Sequence, residues 1–299
     1  MKITHLVLGL LTSAAAGTTF AGVASAKTLE AVASFTVLAD IVKQVGGDHV
    51  NVKSLVGPNG DPHEFEPSPD DAKTLKQADI TFISGEGLES WFEKLVSASG
   101  YSGKPFVVST GIKTRKMEED GKTVTDPHVW NSPLNVKVWV ANIETALVAA
   151  DPTDAKDFKA NAAKYSNELD DLNAYAKSVI GTVPKDRRKI LTSHDAFGYF
   201  GRQYGVQFLS PVGLSTETEA SAADVAKLID QIKTEKVKTY FFENSNDPRL
   251  VQQIAKATGA QPGGELYVES LSKGDGPAPT YTKMFRYNVD QLSKAFAGT

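Results

Sequence analysis

The sequence predicts an α/β protein whose two doubly wound, parallel-sheet domains are joined by one long rigid helix. Apolar strand-like segments alternate with helical ones before residue 150 and again after residue 184. This alternation is typical of mostly parallel sheets that are covered by helices on both faces. One long amphipathic segment, Asp154–Val179, separates the two series. With 299 residues, of which 41% are hydrophobic, the chain is large enough for two domains with their own cores.

In the first domain, strand and helix signals alternate in chain order. Residues 29–37 form the first strand pattern, and the helix after it ends at a pair of glycines. A loop rich in proline and glycine, Gly57–Pro69, follows the second strand. The charged segment Lys113–Thr125 is expected to be a surface hairpin or a flexible loop. The predicted strands are 29–37, 50–56, 79–84 and 106–109, and the predicted helices are 38–45, 70–77, 91–97 and 133–149.

The segment Asp154–Val179 is predicted to be the helix that joins the domains. Its apolar residues recur at alternating steps of three and four, which places them on one helical face. At about 1.5 Å per residue, this helix would be roughly 35–40 Å long. The spacing also fits a coiled coil, but only about three and a half heptads exist and the flanking charges pair irregularly. The face consists of Ala155, Phe158, Ala162, Tyr165, Leu169, Leu172, Ala176 and Val179.

After this helix the alternation resumes and predicts the second domain. The predicted strands are 189–192, 206–209, 239–242 and 264–268, and the predicted helices are 196–204, 222–234, 248–258 and 284–297. We therefore expect a first domain at 27–150, a linking helix at 151–183 and a second domain at 184–299. Ligands of such sheets bind beyond the carboxyl ends of the strands.

Residues 1–26 have the pattern of a secretory signal peptide. Lys2 supplies the positive start, Leu6–Leu11 the apolar centre and Ala24–Ala26 the small-residue cleavage site. The formal net charge is −4 without a basic run, so nucleic acid is not expected as a partner. The chain has no cysteine, which excludes disulfides, thiolate ligands and lipid attachment to cysteine. We expect a monomer free in the periplasm of a Gram-negative bacterium, cleaved near Ala26.

Three of the four histidines beyond the leader lie in similar settings. His63 follows Asp-Pro in the Gly57–Pro69 loop, and His128 follows another Asp-Pro before a helix. His194 lies where the strand 189–192 passes into a helix. Imidazole is the commonest metal ligand, and proline fixes the loop that presents it. Three histidines with one carboxylate make a closed tetrahedral set suited to zinc. The fourth histidine, His49, is expected at the surface.

The motifs Asp61-Pro62-His63, Asp126-Pro127-His128-Val129-Trp130 and Ser193-His194-Asp195-Ala196-Phe197-Gly198-Tyr199-Phe200 resemble the metal-binding motifs of cluster A-I substrate-binding proteins. These are the periplasmic components of zinc and manganese ABC importers. The resemblance covers essentially all of the mature chain. It implies that the metal lies in the cleft between the domains, with His63 and His128 from the first domain and His194 from the second. It also implies delivery to a membrane permease.

The resemblance places the fourth ligand at Glu269, where family members usually have aspartate. Glu243, at another strand end, is a reserve candidate whose expected role is to hold the helix that begins near Pro248. In manganese-type relatives the His194 position is typically acidic, so a histidine there favours zinc over manganese. Many zinc-type relatives also carry a histidine-rich loop, whereas Lys113–Thr125 contains no histidine.

The predicted function is high-affinity capture of zinc in the periplasm, without catalysis. Two alternatives remain open at this point. The first is a manganese or iron carrier of the same fold. The second is a secreted zinc hydrolase, in which Glu269 would be a general base and the metal would keep an open water position. No nucleophile motif or helical His-Glu-x-x-His supports the hydrolase.

Overall fold

The computed structural model describes Met1 and residues 28–119 and 122–298. The predicted signal peptide therefore lies almost wholly outside the described residues. The strands are β1 Leu29–Ala33, β2 Val50–Ser54, β3 Ile80–Ile83, β4 Phe106–Val107, β5 Lys116–Glu119, β6 Lys122–Thr125, β7 Lys189–Leu191, β8 Gln207–Leu209, β9 Thr239–Glu243 and β10 Gln261–Leu266. The α-helices are α1 Thr36–Gly46, α2 Pro69–Lys76, α3 Phe92–Ser99, α4 Pro133–Ala150, α5 Ala155–Gly181, α6 Gly198–Tyr204, α7 Ala222–Glu235, α8 Arg249–Thr258 and α9 Tyr281–Ala297.

Two four-stranded, all-parallel sheets confirm the predicted fold class. The first has the order β2-β1-β3-β4 and the second β10-β9-β7-β8. We call the first sheet with α1–α4 the first lobe, and the second sheet with α6–α9 the second lobe. The segment predicted as a hairpin or a flexible loop contains an antiparallel hairpin, β5–β6, which belongs to the first lobe.

Short capping signals fix where the helices beside the ligand loops begin. The α2 helix starts with a capping box, in which Ser68 and Asp71 each accept a hydrogen bond from the other's backbone N–H. The α4 helix starts similarly at Ser132, whose hydroxyl accepts from the backbone N–H of Asn135. A proline occupies the first turn of both helices, where its missing N–H costs nothing.

The α5 helix lies between the lobes and packs on both. It contacts α4 and α1 on one side and α9 and α6 on the other. Its buried face follows the predicted stripe, except that Ile180 replaces Val179 at the carboxyl end and Ala155 is only half-buried. Because both lobes bury this face, the helix belongs to a core that the two lobes share and is not one helix of a coiled coil.

The last strand differs from its prediction. The sequence predicts a strand at 264–268, whereas β10 spans Gln261–Leu266. This strand is at the edge of its sheet, so the missing backbone N–H of Pro262 interrupts no hydrogen bonding to a strand on the outer side. The register with β9 shifts between Pro262 and Gly264, and Gly264 has a φ of 112°, which favours glycine. The two apolar residues after β10, Tyr267 and Val268, belong to the loop that leads to Glu269 and not to the strand.

A continuous core runs from the first sheet through α5 into the inner part of the second lobe. A smaller core fills the outer part of the second lobe, and it consists of Leu191, Leu209, Leu228, Ile232, Val237, Val251 and Ile254. Among the described residues, no helix combines the length and apolar character needed to cross a bilayer.

Candidate metal centre

His63 reaches the centre from the loop that follows β2. The side chain of Asp61 accepts a hydrogen bond of 2.8 Å from the backbone N–H of His63, which tightens this turn. The carbonyl of Pro62 accepts a hydrogen bond of 2.7 Å from the indole of Trp91. The loop is thus fixed at two points, and His63 is 4% exposed.

His128 is presented from the turn before α4. One carboxylate oxygen of Asp126, Oδ1, lies 3.0 Å from the backbone nitrogen and 3.0 Å from Nδ1 of His128. The single carboxylate therefore caps the turn and orients the ring, leaving Nε2 free to coordinate. Both residues are completely buried.

His194 and Glu269 come from the second lobe. His194 lies three residues beyond β7, and Glu269 lies three residues beyond β10. Glu243, the last residue of β9, accepts hydrogen bonds from the backbone nitrogens of Ser193 and His194, and its second oxygen contacts His194 Nδ1. The expected role of Glu243 in holding the α8 helix is therefore wrong, because its carboxylate orients His194.

The four predicted ligands converge. Glu269 Oε1 lies 2.8 Å from Nε2 of His63, 3.1 Å from Nε2 of His128 and 3.4 Å from Nε2 of His194. His128 Nε2 lies 3.2 Å from Nε2 of His63 and 3.3 Å from Nε2 of His194. A tetrahedral ion with bonds of about 2.0–2.1 Å separates its donor atoms by about 3.3–3.4 Å. Five of the six distances between the donor atoms are therefore close to those of one tetrahedral coordination sphere.

Opposite charges in a dry environment dominate the electrostatics of the centre. Burial raises the pKa of Glu269, but the facing histidines outweigh it and hold the pKa well below its usual range. Burial lowers the pKa of His194, but Glu243 and Glu269 raise it well above its usual value. Burial likewise lowers the pKa of His128, and Asp126 and Glu269 raise it. Such a site holds positive charge, supplied by protons or by a cation.

Two cavities beside the segment 212–220 each have one of the candidate ligands among their lining residues. A cavity of about 640 Å³ reaches His194 and is lined by Asp61, Glu64 and Glu219, among others. A second cavity of about 360 Å³ reaches His63. The segment also contacts the first lobe, since the hydroxyl of Thr216 donates a 2.8 Å hydrogen bond to Asp61.

Sequence reasoning missed two of the residues that support the ligands, Arg115 and Glu243. Arg115 was predicted only as part of a charged surface segment, yet its guanidinium contacts Asp126 beside His128. Glu243 was considered as a ligand and not as the partner of His194. His49, as expected, lies apart from the centre, at 2.8 Å from Asp154 and 3.0 Å from Asp157.

The chain is similar to known proteins along nearly its whole length. Residues 31–295 match the family described as ZnuA, zinc-uptake complex component A, periplasmic. The chain is 33% identical over 273 residues to the iron-binding protein YfeA of Yersinia pestis, covering 91% of this chain and 88% of YfeA. It is 33% identical over 288 residues to the manganese-binding lipoprotein MntA of Bacillus subtilis (strain 168), covering 93% of each. Among solved structures, the periplasmic zinc-binding protein TroA of Treponema pallidum matches with a TM-score of 0.85 and 29% identity, covering 90% of this chain and 99% of TroA.

Proposed function

Because this chain belongs to the family of periplasmic metal-binding components of ABC importers, we propose that it captures zinc and delivers the ion to a membrane permease. The chain is a substrate-binding transport protein and not an enzyme, which removes the hydrolase alternative. We propose zinc, bound by His63, His128, His194 and Glu269 in the periplasm.

The observation that carries the choice of zinc is the donor set and its spacing. Three imidazole nitrogens and one carboxylate oxygen lie within 4.8 Å of one another, and all four side chains are buried. Zinc accepts four such donors in a tetrahedron, whereas manganese prefers oxygen ligands and a larger, octahedral set. A second oxygen, Glu269 Oε2, lies 3.4 Å from the hydroxyl of Ser245, which supports binding through Oε1 alone.

Manganese or iron carriage remains the second candidate because two similar proteins are named for those metals. Elemental analysis of protein purified without added metal, followed by competition between zinc and manganese, separates the candidates. We expect about one zinc per chain and no displacement by equimolar manganese. Retention of manganese or iron in preference to zinc would favour the second candidate.

The compartment, the oligomeric state and the domain limits are also proposals. We propose cleavage near Ala26, a periplasmic monomer, and domains at 27–150 and 184–299 around the linking helix 151–183. Amino-terminal sequencing of protein from the periplasmic fraction tests the cleavage site. Light scattering of the purified protein, with and without zinc, tests the monomer. Limited proteolysis tests the domain limits. We expect cleavage between the proposed domains, and cleavage inside the β-strands of a domain would contradict the limits.

A further inference from the structure

Arg115, the residue before the β5–β6 hairpin, contacts a carboxylate that supports one of the metal ligands. Its guanidinium Nη1 contacts Oδ2 of Asp126, which is completely buried. The other oxygen, Oδ1, is occupied by the backbone N–H and the ring Nδ1 of His128. Each carboxylate oxygen thus has its own partner, and rotation of the carboxylate would break contacts on both sides.

The same arginine is also held by the second lobe. The backbone N–H of Arg115 donates a 2.9 Å hydrogen bond to the hydroxyl of Tyr199, and this hydroxyl donates a 2.9 Å hydrogen bond to the carbonyl of Asp126. The guanidinium carbon lies 5.8 Å from the centroid of the Tyr199 ring. Tyr199 lies five residues after His194. Arg115 therefore connects the loop of His128 with the helix that follows His194.

The space for the guanidinium exists because residue 198 has no side chain. A Cβ on Gly198 would lie 1.2 Å from Nη1 of Arg115 and 2.7 Å from Oδ2 of Asp126. No side chain larger than hydrogen fits there while the contact between Arg115 and Asp126 remains. The glycine at the start of α6 is thus part of the same arrangement.

We propose that Arg115 is a positioning residue of the metal centre, which fixes the Asp126 carboxylate so that His128 presents Nε2 to the ion. This inference rests on the proposed metal site. Within the described part of the chain, Arg115 is the basic side chain that pairs with a carboxylate of the centre. Its removal would leave Oδ2 of Asp126 buried without a cation partner and would free the carboxylate to turn away from His128.

Arg115→Ala and Arg115→Lys test the proposal, with Arg202→Ala as the matched control. Arg202 also lies over the Tyr199 ring, at 5.4 Å, but it is exposed and on α6. Zinc affinity is measured by competition with a chelator of known affinity, and unfolding of the metal-free protein is measured in parallel. We expect Arg115→Ala to weaken zinc binding about 10- to 100-fold, which is the usual effect of losing a residue that supports a ligand.

The controls separate positioning from a general loss of packing. We expect Arg115→Lys to recover most of the affinity and Arg202→Ala to remain within about twofold of the wild type. The absorption spectrum of bound cobalt should change in Arg115→Ala and return in Arg115→Lys. Wild-type affinity in Arg115→Ala, or an equal loss in Arg202→Ala, would overturn the proposal.

Two further variants keep the test decisive. If Arg115→Ala does not fold, Arg115→Met takes its place, because it keeps most of the side-chain volume and removes the cation beside Asp126. Loss of affinity in Arg115→Met supports the proposal, and wild-type affinity overturns it. A loss in His128→Ala without a loss in Arg115→Ala refutes only the role of Arg115. Unchanged affinity in both variants refutes the proposed metal site itself.

Discussion

At the scale of single residues, the contribution of one ligand is measured by comparing His128, in the metal centre, with His49, which lies outside it. We expect His128→Ala to weaken zinc binding by about 10²- to 10³-fold. If the roughly 10–16 kcal/mol typical of structural zinc sites is shared among four ligands, each one contributes about 2.5–4 kcal/mol. His49→Ala is the control because His49 bonds Asp154 and Asp157 away from the centre. Isothermal titration with a competing chelator measures both. Equal affinities in the two variants would contradict the assigned site.

The pH dependence follows from the raised pKa values of His128 and His194. The raised pKa values favour protons on these rings in the metal-free protein, so we expect zinc binding to release protons and affinity to fall as pH falls. Ordinary imidazole would place this loss near pH 6.5. Because the pKa of His194 is well above that value, we expect the loss to begin at higher pH. Zinc titrations between about pH 5 and 9 measure it, and affinity that is constant over this range would contradict histidine ligation.

The same shifts give the metal-free protein an opposite pH dependence. A histidine whose pKa is raised in the folded state stabilises the protein fully at pH values below its pKa in the unfolded state, about 6.5. This contribution is lost as the pH rises through the pKa of the folded state. We therefore expect the free energy of unfolding of the metal-free protein to decrease as the pH rises from about 6, past the histidine pKa of the unfolded state and towards the higher pKa of the folded state. His194→Gln should remove much of this slope, and an unchanged slope would show that other groups cause it.

Metal preference is also a residue-scale property, and it depends on His194. Replacing this ligand by glutamate gives two nitrogens and two oxygens, a set that favours manganese more. Because Glu243 contacts His194, the change is made with Glu243→Gln, which avoids two facing carboxylates. We expect the ratio of manganese to zinc affinity to rise in the double variant relative to Glu243→Gln alone. An unchanged ratio in competition titrations would show that this position does not select the metal.

At the scale of secondary-structure elements, α5 contributes to the continuous core that the two lobes share. Leu169 lies in the middle of its buried face and is 0% exposed. We expect Leu169→Ala to destabilise the protein by about 2–5 kcal/mol, through lost burial and the cavity that remains. Lys177→Ala, on the exposed side of the same helix, should change stability by less than about 0.5 kcal/mol. Thermal unfolding of the metal-free protein compares the two, and similar values would argue against a core role for this face.

Elements with a clear period were predictable, and contacts between distant elements were not. The face of α5 and the strand-helix alternation follow from local spacing, which is why their order is correct and most of their limits agree to within two residues. The first strand, predicted to reach residue 37, ends at Ala33 because α1 begins at Thr36. The β10 strand was displaced because its register shift at Pro262 and Gly264 depends on the neighbouring strand. The histidines were identified from their loops and the family resemblance. Arg115 and Glu243 were assigned other roles, because their partners come together only in the folded chain.

At the scale of the whole molecule, the continuous core and α5 favour small motions between the lobes. A single stiff helix that packs on both lobes hinges less readily than two flexible strands. Release of the ion then depends on local contacts across the cleft. Two such contacts involve the segment 212–220: Thr216 donates to Asp61, and Ser90 donates a 3.0 Å hydrogen bond to Glu217.

Breaking these two contacts of the segment 212–220 should therefore accelerate metal release without large changes in overall shape. In the double variant Ser90→Ala/Thr216→Val we expect zinc to transfer to an excess of chelator several-fold faster, since each lost hydrogen bond contributes about 0.5–1.5 kcal/mol. Ser97→Ala/Thr145→Val is the control, because these hydroxyls donate to carbonyls of their own helices. Stopped-flow chelation measures the rates, and small-angle scattering checks the shape. A wild-type release rate in the double variant would show that the segment 212–220 does not slow release of the ion. A large change in the radius of gyration on zinc loading would show that the lobes themselves open.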